Sequence, residues 1–182
     1  MTPLLIFATQ AEAAPLQALR ADLQIAICGV GLVETAVSVA EIVAQKRPSQ
    51  VVLCGIAGAY NTSLAIGEVV CVSEERTQTL PTVYRKSYFS TLELPLKAVV
   101  SNSVMSVGAA ADGADIENME GAALFAVCEK YNIPCAQIRA ISNYTTDSRE
   151  SWNIPLARGS AGEYQADERA GVAWLSWRVS GR

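Results

Sequence analysis

The chain contains no histidine among its 182 residues. That removes the Ser-His and Cys-His nucleophile systems, a histidine general base and the commonest zinc ligand. Proton transfer must then fall to carboxylates, or to Lys, Tyr or Cys. Charge is scarce as well, with 14 Lys and Arg against 18 Asp and Glu. A net charge of −4 with no basic run gives no electrostatic footprint for nucleic acid. Long apolar runs are missing too. The opening stretch has only Leu4 to Ala8 as an unbroken apolar run, with no cation before it. It reads as a first strand, not as a signal peptide or membrane span, so a cytoplasmic protein with no membrane partner is expected. No two cysteines form a C-x-x-C pair. Cys28, Cys54, Cys71, Cys128 and Cys135 all sit in apolar strand or helix patterns. An odd number in such settings reads as reduced core thiols in a reducing compartment, with a reactive thiol as the rarer alternative.

What is present is apolar: 51% of the residues are hydrophobic, enough at this length for a core without staples. One domain over residues 1–182 is expected, with no repeat, low-complexity segment or linker. Short apolar runs predict strands near Leu4–Ala8, Ile25–Gly29, Val51–Gly55, Val69–Ser73, Lys97–Ser101 and Cys135–Ile141. Helical spacing predicts helices over Val33–Gln45, Glu120–Tyr131 and after Trp152. Strands separated by helices imply an α/β fold, its sheet largely parallel and covered on both faces. The stretch from Glu74 to Asp115 is the least readable.

The richest segment is Asn118 to Asn143. Glu120 opens a run of small residues and a helix, Pro134 breaks it, and an apolar strand follows that ends on Ser142 and Asn143. In α/β folds such a carboxylate and such an amide can face one cavity, because ligands gather at the strands' carboxyl ends. Two glycine pairs follow predicted strands, Gly29 with Gly31 and Gly55 with Gly58, and each reads as a turn or as a close approach of backbone to ligand. The first half-matches a dinucleotide fingerprint, but Glu34 stands in place of its third glycine. The second strand also ends in Cys54-Gly55 without a ribose-binding acid, so no nicotinamide cofactor is expected.

Glu117 to Gly121 reads Glu-Asn-Met-Glu-Gly, and Arg139 to Asn143 reads Arg-Ala-Ile-Ser-Asn. Together these resemble the purine nucleoside phosphorylase and nucleosidase family, and within it the futalosine branch, which serves an alternative route to menaquinone. The resemblance covers Leu4 to Ala157 with a weak middle, where relatives are longer. It implies a three-layer α/β/α fold with a mixed, mostly parallel sheet, like the nucleoside phosphorylases and hydrolases. It further implies a purine nucleoside as the small-molecule partner, no metal, no organic cofactor, and a homo-oligomer of at least two chains.

The same resemblance distributes roles among the residues. Glu12 would polarise the attacking water, Glu120 would hold the ribose, and Asn143 would meet the purine. Ile56, Ala57, Gly58, Val104, Asn118 and Met119 would contact the substrate. Taken alone, Glu12 is a solvated glutamate entering a helix, Glu120 an acid placed well at a helix N-terminus, and Asn143 a strand-end cap. Their chemistry nonetheless suits the roles. An ionised carboxylate accepts from two vicinal hydroxyls, and an amide donates to a 6-oxopurine, where a carboxylate would repel N7 and O6. The phosphate grip Gly-Asp-Pro-x-Arg of the phosphorylases is missing after the first strand, which favours water as nucleophile. The expected activity is hydrolysis of futalosine to hypoxanthine. Alternatives are a methylthioadenosine/S-adenosylhomocysteine nucleosidase and a non-catalytic purine-nucleoside-binding protein. Arg139 is expected to pair with an internal carboxylate, and Arg85 or Arg149 to meet the substrate's 5′ group.

Overall fold

The first strand, β1 (Leu4–Phe7), is apolar at every position and wholly buried, as a strand between two helical layers must be. The computed structural model, which describes residues 3–148, 150 and 152–154, shows where each face goes. Leu4 and Ile6, with Val51 and Leu53 of β3 (Val51–Ala59), pack against α2 (Leu32–Lys46) and α3 (Gly121–Tyr131) through Val39, Val43, Leu124 and Phe125. Leu5, Phe7, Val52 and Cys54 turn the other way, onto Ala13 and Leu16 of α1 (Gln10–Leu19). The period-2 alternation of side chains thus divides two strands between two helical layers, and the expected three-layer order is observed.

Six further strands complete the sheet: β2 (Ile25–Ile27), β4 (Val69–Arg76), β5 (Ser87–Phe89), β6 (Lys97–Ser103), β7 (Ile116–Asn118) and β8 (Cys135–Tyr144). Their order is β2-β1-β3-β7-β6-β4-β5, and β8 pairs with both β3 and β4. The pairs β1–β2, β1–β3, β3–β8, β4–β6 and β6–β7 are parallel, whereas β3–β7, β4–β5 and β4–β8 are antiparallel. The sheet is therefore mixed and mostly parallel. Strands β3, β7, β6, β4 and β8 pair around a closed circuit. Ala57, Ala59, Leu64, Val70, Val72, Val99, Ile116 and Ile141 form one core cluster drawn largely from these strands.

Two differences from the sequence reading bear on the site. Sequence patterning gives no sign of β5 or β7, three residues each, because so short a run carries no period. The stretch Gly55 to Gly58 is not a turn: β3 continues through it to Ala59, paired with β8 throughout and with β7 at its end. Glycine serves here to admit neighbouring side chains. By contrast, Gly29 and Gly31 have φ of +81° and +90°, so the loop into α2 does need them. The helix expected after Trp152, with Tyr164, Trp174 and Trp177, falls outside the described residues.

Candidate active site

Thr9 ends the turn after β1 with extended backbone and caps α1, while Glu12 three residues on completes a capping box. Glu12 Oε2 accepts from Thr9 N at 3.0 Å and from Thr9 Oγ1 at 2.8 Å. The capping contacts leave Oε1 directed toward Gly55, and the side chain is nearly buried at 8% exposure. The local signal for a helix start is thus correct, yet the carboxylate is not a solvated one.

Glu120 is the N-cap residue of α3 and is also buried. Its Oε1 accepts from Gly31 N at 3.2 Å, at the start of α2, and its Oε2 lies 3.3 Å from Arg139 Nη1. Arg139, fully buried in β8, therefore pairs with an internal carboxylate as expected, and that carboxylate is the candidate ribose holder itself. The guanidinium also donates to Ile56 O at 3.1 Å, Asn118 Oδ1 at 2.9 Å and Gln137 Oε1 at 3.1 Å. Glycine at position 55 makes room for it. A Cβ there would stand 2.6 Å from Arg139 Nη1 and 3.4 Å from Glu12 Oε1. Two carboxylates and one arginine thus converge just past the end of β1, beside the middle of β3 and β8. Cys28, at the end of β2, lies in the field of all three, although burial is the main cause that pushes its thiol up.

Asn143 sits beyond a bulge in β8, where the pairing steps from Ala57–Ile141 to Gly58–Asn143. The bulge carries Ser142 out of register and brings the amide against β3. A Cβ on Gly58 would be 3.1 Å from Asn143 Nδ2. That nitrogen donates to Tyr144 O at 3.0 Å, so one of its two N–H groups is taken within the protein. Ser142 Oγ lies 2.8 Å from Asn143 Oδ1 and 3.2 Å from Ala57 O. A hydroxyl has one proton, so it serves one of these acceptors at a time; the shorter contact is the stronger claim. The amide can therefore offer a ligand one N–H rather than the two that the sequence reading assigns to N7 and O6.

The other candidates divide. Ile56, Ala57 and Gly58 line the end of β3 beside Arg139, Ser142 and Asn143. Met119 is part-exposed next to Glu120. Val104 is buried, its N–H on Asn118 O at 2.8 Å. Asn118 is committed inside the protein: Nδ2 donates to Glu75 Oε2 and Ser101 Oγ, and Oδ1 accepts from Glu120 N, Gly121 N and Arg139. Its amide builds the site instead of facing it. Arg85 is held by Asp112 at 3.0 Å and Leu80 O, and Arg149 lies outside the described residues.

Sequence reasoning misses Glu75 altogether. This carboxylate, in β4, is fully buried and accepts from Ser103 Oγ at 2.8 Å, Asn118 Nδ2 at 2.9 Å and Gln137 Nε2 at 2.7 Å. Its pKa is raised on balance, because burial outweighs the donors Gln137, Ser103 and Asn118 and the nearby Arg139 charge that pull it down. With three donors aimed at it, the geometry suits the ionised, acceptor-only form. Gly121 exists in the motif because of this network: a Cβ there would stand 2.6 Å from Gln137 Oε1 and collide with Glu75 Oε2. The available signal was the polar pair Gln137 and Arg139, two apart on one face of an otherwise apolar strand, which demands a polar partner inside.

A cavity of about 470 Å3 lies elsewhere, at the amino end of β8, lined by Tyr88, Phe89, Phe125, Cys128, Ile133 and Cys135 among others. It contains none of the candidate residues. Among the described residues no group of His, Cys, Asp or Glu could hold a metal ion, and no helix is long and apolar enough to cross a membrane.

Residues 97–170 match the model of the Phosphorylase superfamily. No curated protein matches the sequence. Among solved structures, the chain is similar to a mutant 5′-methylthioadenosine nucleosidase from Helicobacter pylori with 5′-methylthioadenosine in its active site. The TM-score is 0.83 at 14% identity, over 98% of this chain and 99% of that one. A futalosine hydrolase mutant from the same species gives 0.83 at 14% identity, over 98% and 100%. The Arabidopsis thaliana 5′-methylthioadenosine nucleosidase gives 0.81 at 18% identity, over 100% and 97%. The fold is thus the nucleoside phosphorylase and hydrolase fold.

Proposed function

We propose that this chain is a nucleosidase, hydrolysing the N-glycosidic bond of a purine nucleoside. The observation that carries the reading is the Glu120–Arg139 pair with Glu12 facing it across Gly55, and Asn143 against the adjoining end of β3. In the reaction, Glu12 Oε1 takes a proton from water as its oxygen bonds to the sugar's anomeric carbon. The bond to the purine nitrogen breaks, and the base leaves with the electron pair. Glu120 accepts hydrogen bonds from the two ribose hydroxyls, and its charge opposes the positive charge that builds on the sugar. Arg139 and Gly31 keep that carboxylate aimed. The free N–H of Asn143 meets the negative charge growing on the base. The stretch Gln10 to Leu19 contains no cation, which supports water over phosphate as nucleophile.

The finer reading is a 6-oxopurine substrate, with futalosine as the nucleoside and hypoxanthine as the product. It rests on Asn143, whose carbonyl is engaged by Ser142 and whose remaining N–H suits an acceptor. The methylthioadenosine/S-adenosylhomocysteine reading is supported by the fold likeness to several such nucleosidases. Incubation with futalosine and with methylthioadenosine decides between them by the free base released, hypoxanthine or adenine. Release of neither would leave a purine-binding protein without catalysis. Asn143→Asp should shift the ratio of kcat/KM values toward adenine by about tenfold, the effect of one hydrogen bond at ~1.4 kcal/mol. An unchanged ratio removes the argument for a 6-oxopurine.

We also propose that the chain acts as a homo-oligomer of at least two copies. Val30, Val33 and Val37, at 53%, 69% and 65% exposure, leave an apolar stripe on and beside α2, near the Gly31 contact with Glu120. Replacing Val33 and Val37 with lysine should lower the mass seen by sedimentation.

A further inference from the structure

The buried cluster behind Glu120 contains two carboxylates and one cation. Glu120 touches Arg139 directly, through Nη1. Glu75 reaches the same guanidinium through one residue on each of two paths. On one, Gln137 Nε2 donates to Glu75 while Gln137 Oε1 accepts from Arg139 Nη2. On the other, Asn118 Nδ2 donates to Glu75 while Asn118 Oδ1 accepts from the same Nη2. Both amides are thereby locked in one orientation, since flipping either would set a donor against a donor. The Asn118 oxygen so fixed also receives Glu120 N and Gly121 N at 2.9 and 2.7 Å. Ser103, the third group on Glu75, accepts Ala122 N at 2.8 Å. Every path from Glu75 therefore ends on the backbone that starts α3 or on the arginine that faces Glu120.

We propose that Glu75 is a positioning residue for the reaction: by orienting Asn118, Gln137 and Arg139 it sets the place of the Glu120 carboxylate against the ribose. The proposal rests on the nucleosidase reading above. Glu75 touches neither substrate nor water, and nothing in the reaction passes through it. Its negative charge shares Arg139 with Glu120. Neutralising it leaves Glu120 as the cation's sole acidic partner in the cluster, drawing that carboxylate toward Arg139 and away from the sugar. The other charged group facing the cluster is Glu12, across Gly55.

The variant Glu75→Gln keeps the volume and can still accept from Asn118 and Gln137 while turning its NH2 toward Ser103. It should lower kcat on a purine ribonucleoside by about tenfold with little change in KM, because the hydroxyl contact tightens in the transition state. The loss should disappear in a Glu120→Gln background and on a 2′,3′-dideoxy nucleoside, neither of which uses that contact. A residue serving stability alone would lower activity alike in both backgrounds and on both substrates, and that result overturns the proposal. Should the wild type release no base, the nucleosidase reading fails, and crystal structures decide the positioning separately. Glu75→Gln should show the Glu120 carboxylate drawn toward Arg139 and off its contact with Gly31 N; if that variant does not fold, the shorter Glu75→Asp should show Asn118 and Arg139 reoriented and Glu120 displaced with them. A Glu120 in the same place in the variant crystal overturns the proposal whatever the activity.

Discussion

The β3–β8 pair borders one kind of interior at its amino end and the opposite kind from Gln137 onward. Along β8 from Gln137 to Asn143, the side chains of Gln137, Arg139 and Asn143, with Glu75 of β4, are all at least 97% buried, and polar atoms are packed against one another with glycine wherever a Cβ would intrude. At the amino end, beside Cys135, there is a cavity of about 470 Å3 whose walls are largely aromatic and aliphatic. That volume falls in the range of small-molecule sites, yet the buried titratable groups lie farther along β8. The ion pairs differ in the same way. Arg139–Glu120 has side chains 1% and 7% exposed, whereas Lys86–Glu129, beside the cavity, has 52% and 60%. Buried and converging titratable groups, more than open volume, are what set the candidate site apart from the merely roomy end.

The largest effect that would sharpen this contrast is expected at Glu12. Glu12→Gln keeps an oxygen for the Thr9 contacts, so α1 should still start where it does. Removing the proton acceptor should cost ~10²–10⁴-fold in kcat. Near-native turnover with unchanged structure would return Glu12 to a capping residue.

Glu120→Gln should lower kcat/KM on ribonucleosides by at least about tenfold. Read from the sequence, this carboxylate is a helix-end charge of ~0.3–1 kcal/mol, and its loss would hardly move the melt. The buried pair with Arg139 changes that expectation. Breaking such a pair leaves the buried cation with Glu75 alone, reached only through Gln137 and Asn118, so unfolding stability should fall, by up to ~3–5 kcal/mol if that compensation is weak. Denaturant titration of the variant checks the magnitude, and a loss under ~1 kcal/mol would mean that solvent reaches the pair.

Gly121→Ala tests the packing of the polar end without touching a charge. The added methyl meets Gln137 Oε1 and Glu75 Oε2, and overpacking of this kind costs ~1–3 kcal/mol. A neutral result would show that the network yields more easily than its contacts suggest. At the roomy end, Lys86→Ala should hardly move the melt, an effect masked by salt, and leave turnover unchanged. A large activity loss there would break the comparison and make the cavity part of the function.

Legibility in the sequence follows the same divide. Helix α3 is legible because Glu120, the small run after it and Pro134 are local signals, and Glu12 is legible because it stands just past the first strand where the resemblance expects a carboxylate. Strand β7 is not, since three residues carry no period, and the extension of β3 through Gly55 and Gly58 is not, since glycine there imitates a turn. Asn118 resembles a ligand contact in a motif. Only its five partners, drawn from β4, β6, the start of α3 and β8, show it to be scaffold.

The sequence by itself determined the α/β alternation, the exclusion of histidine chemistry and the short list of carboxylates and amides able to act. Those properties are set by composition and by neighbours within a helical turn or a strand. The tertiary structure alone decided which of those groups meet. Glu75 finds Gln137 across 62 residues, and Gly31 finds Glu120 across 89. Such contacts exist only once β3, β7, β6, β4 and β8 have closed on one another, because burial then forces each polar group to take the partner that the closed sheet sets beside it.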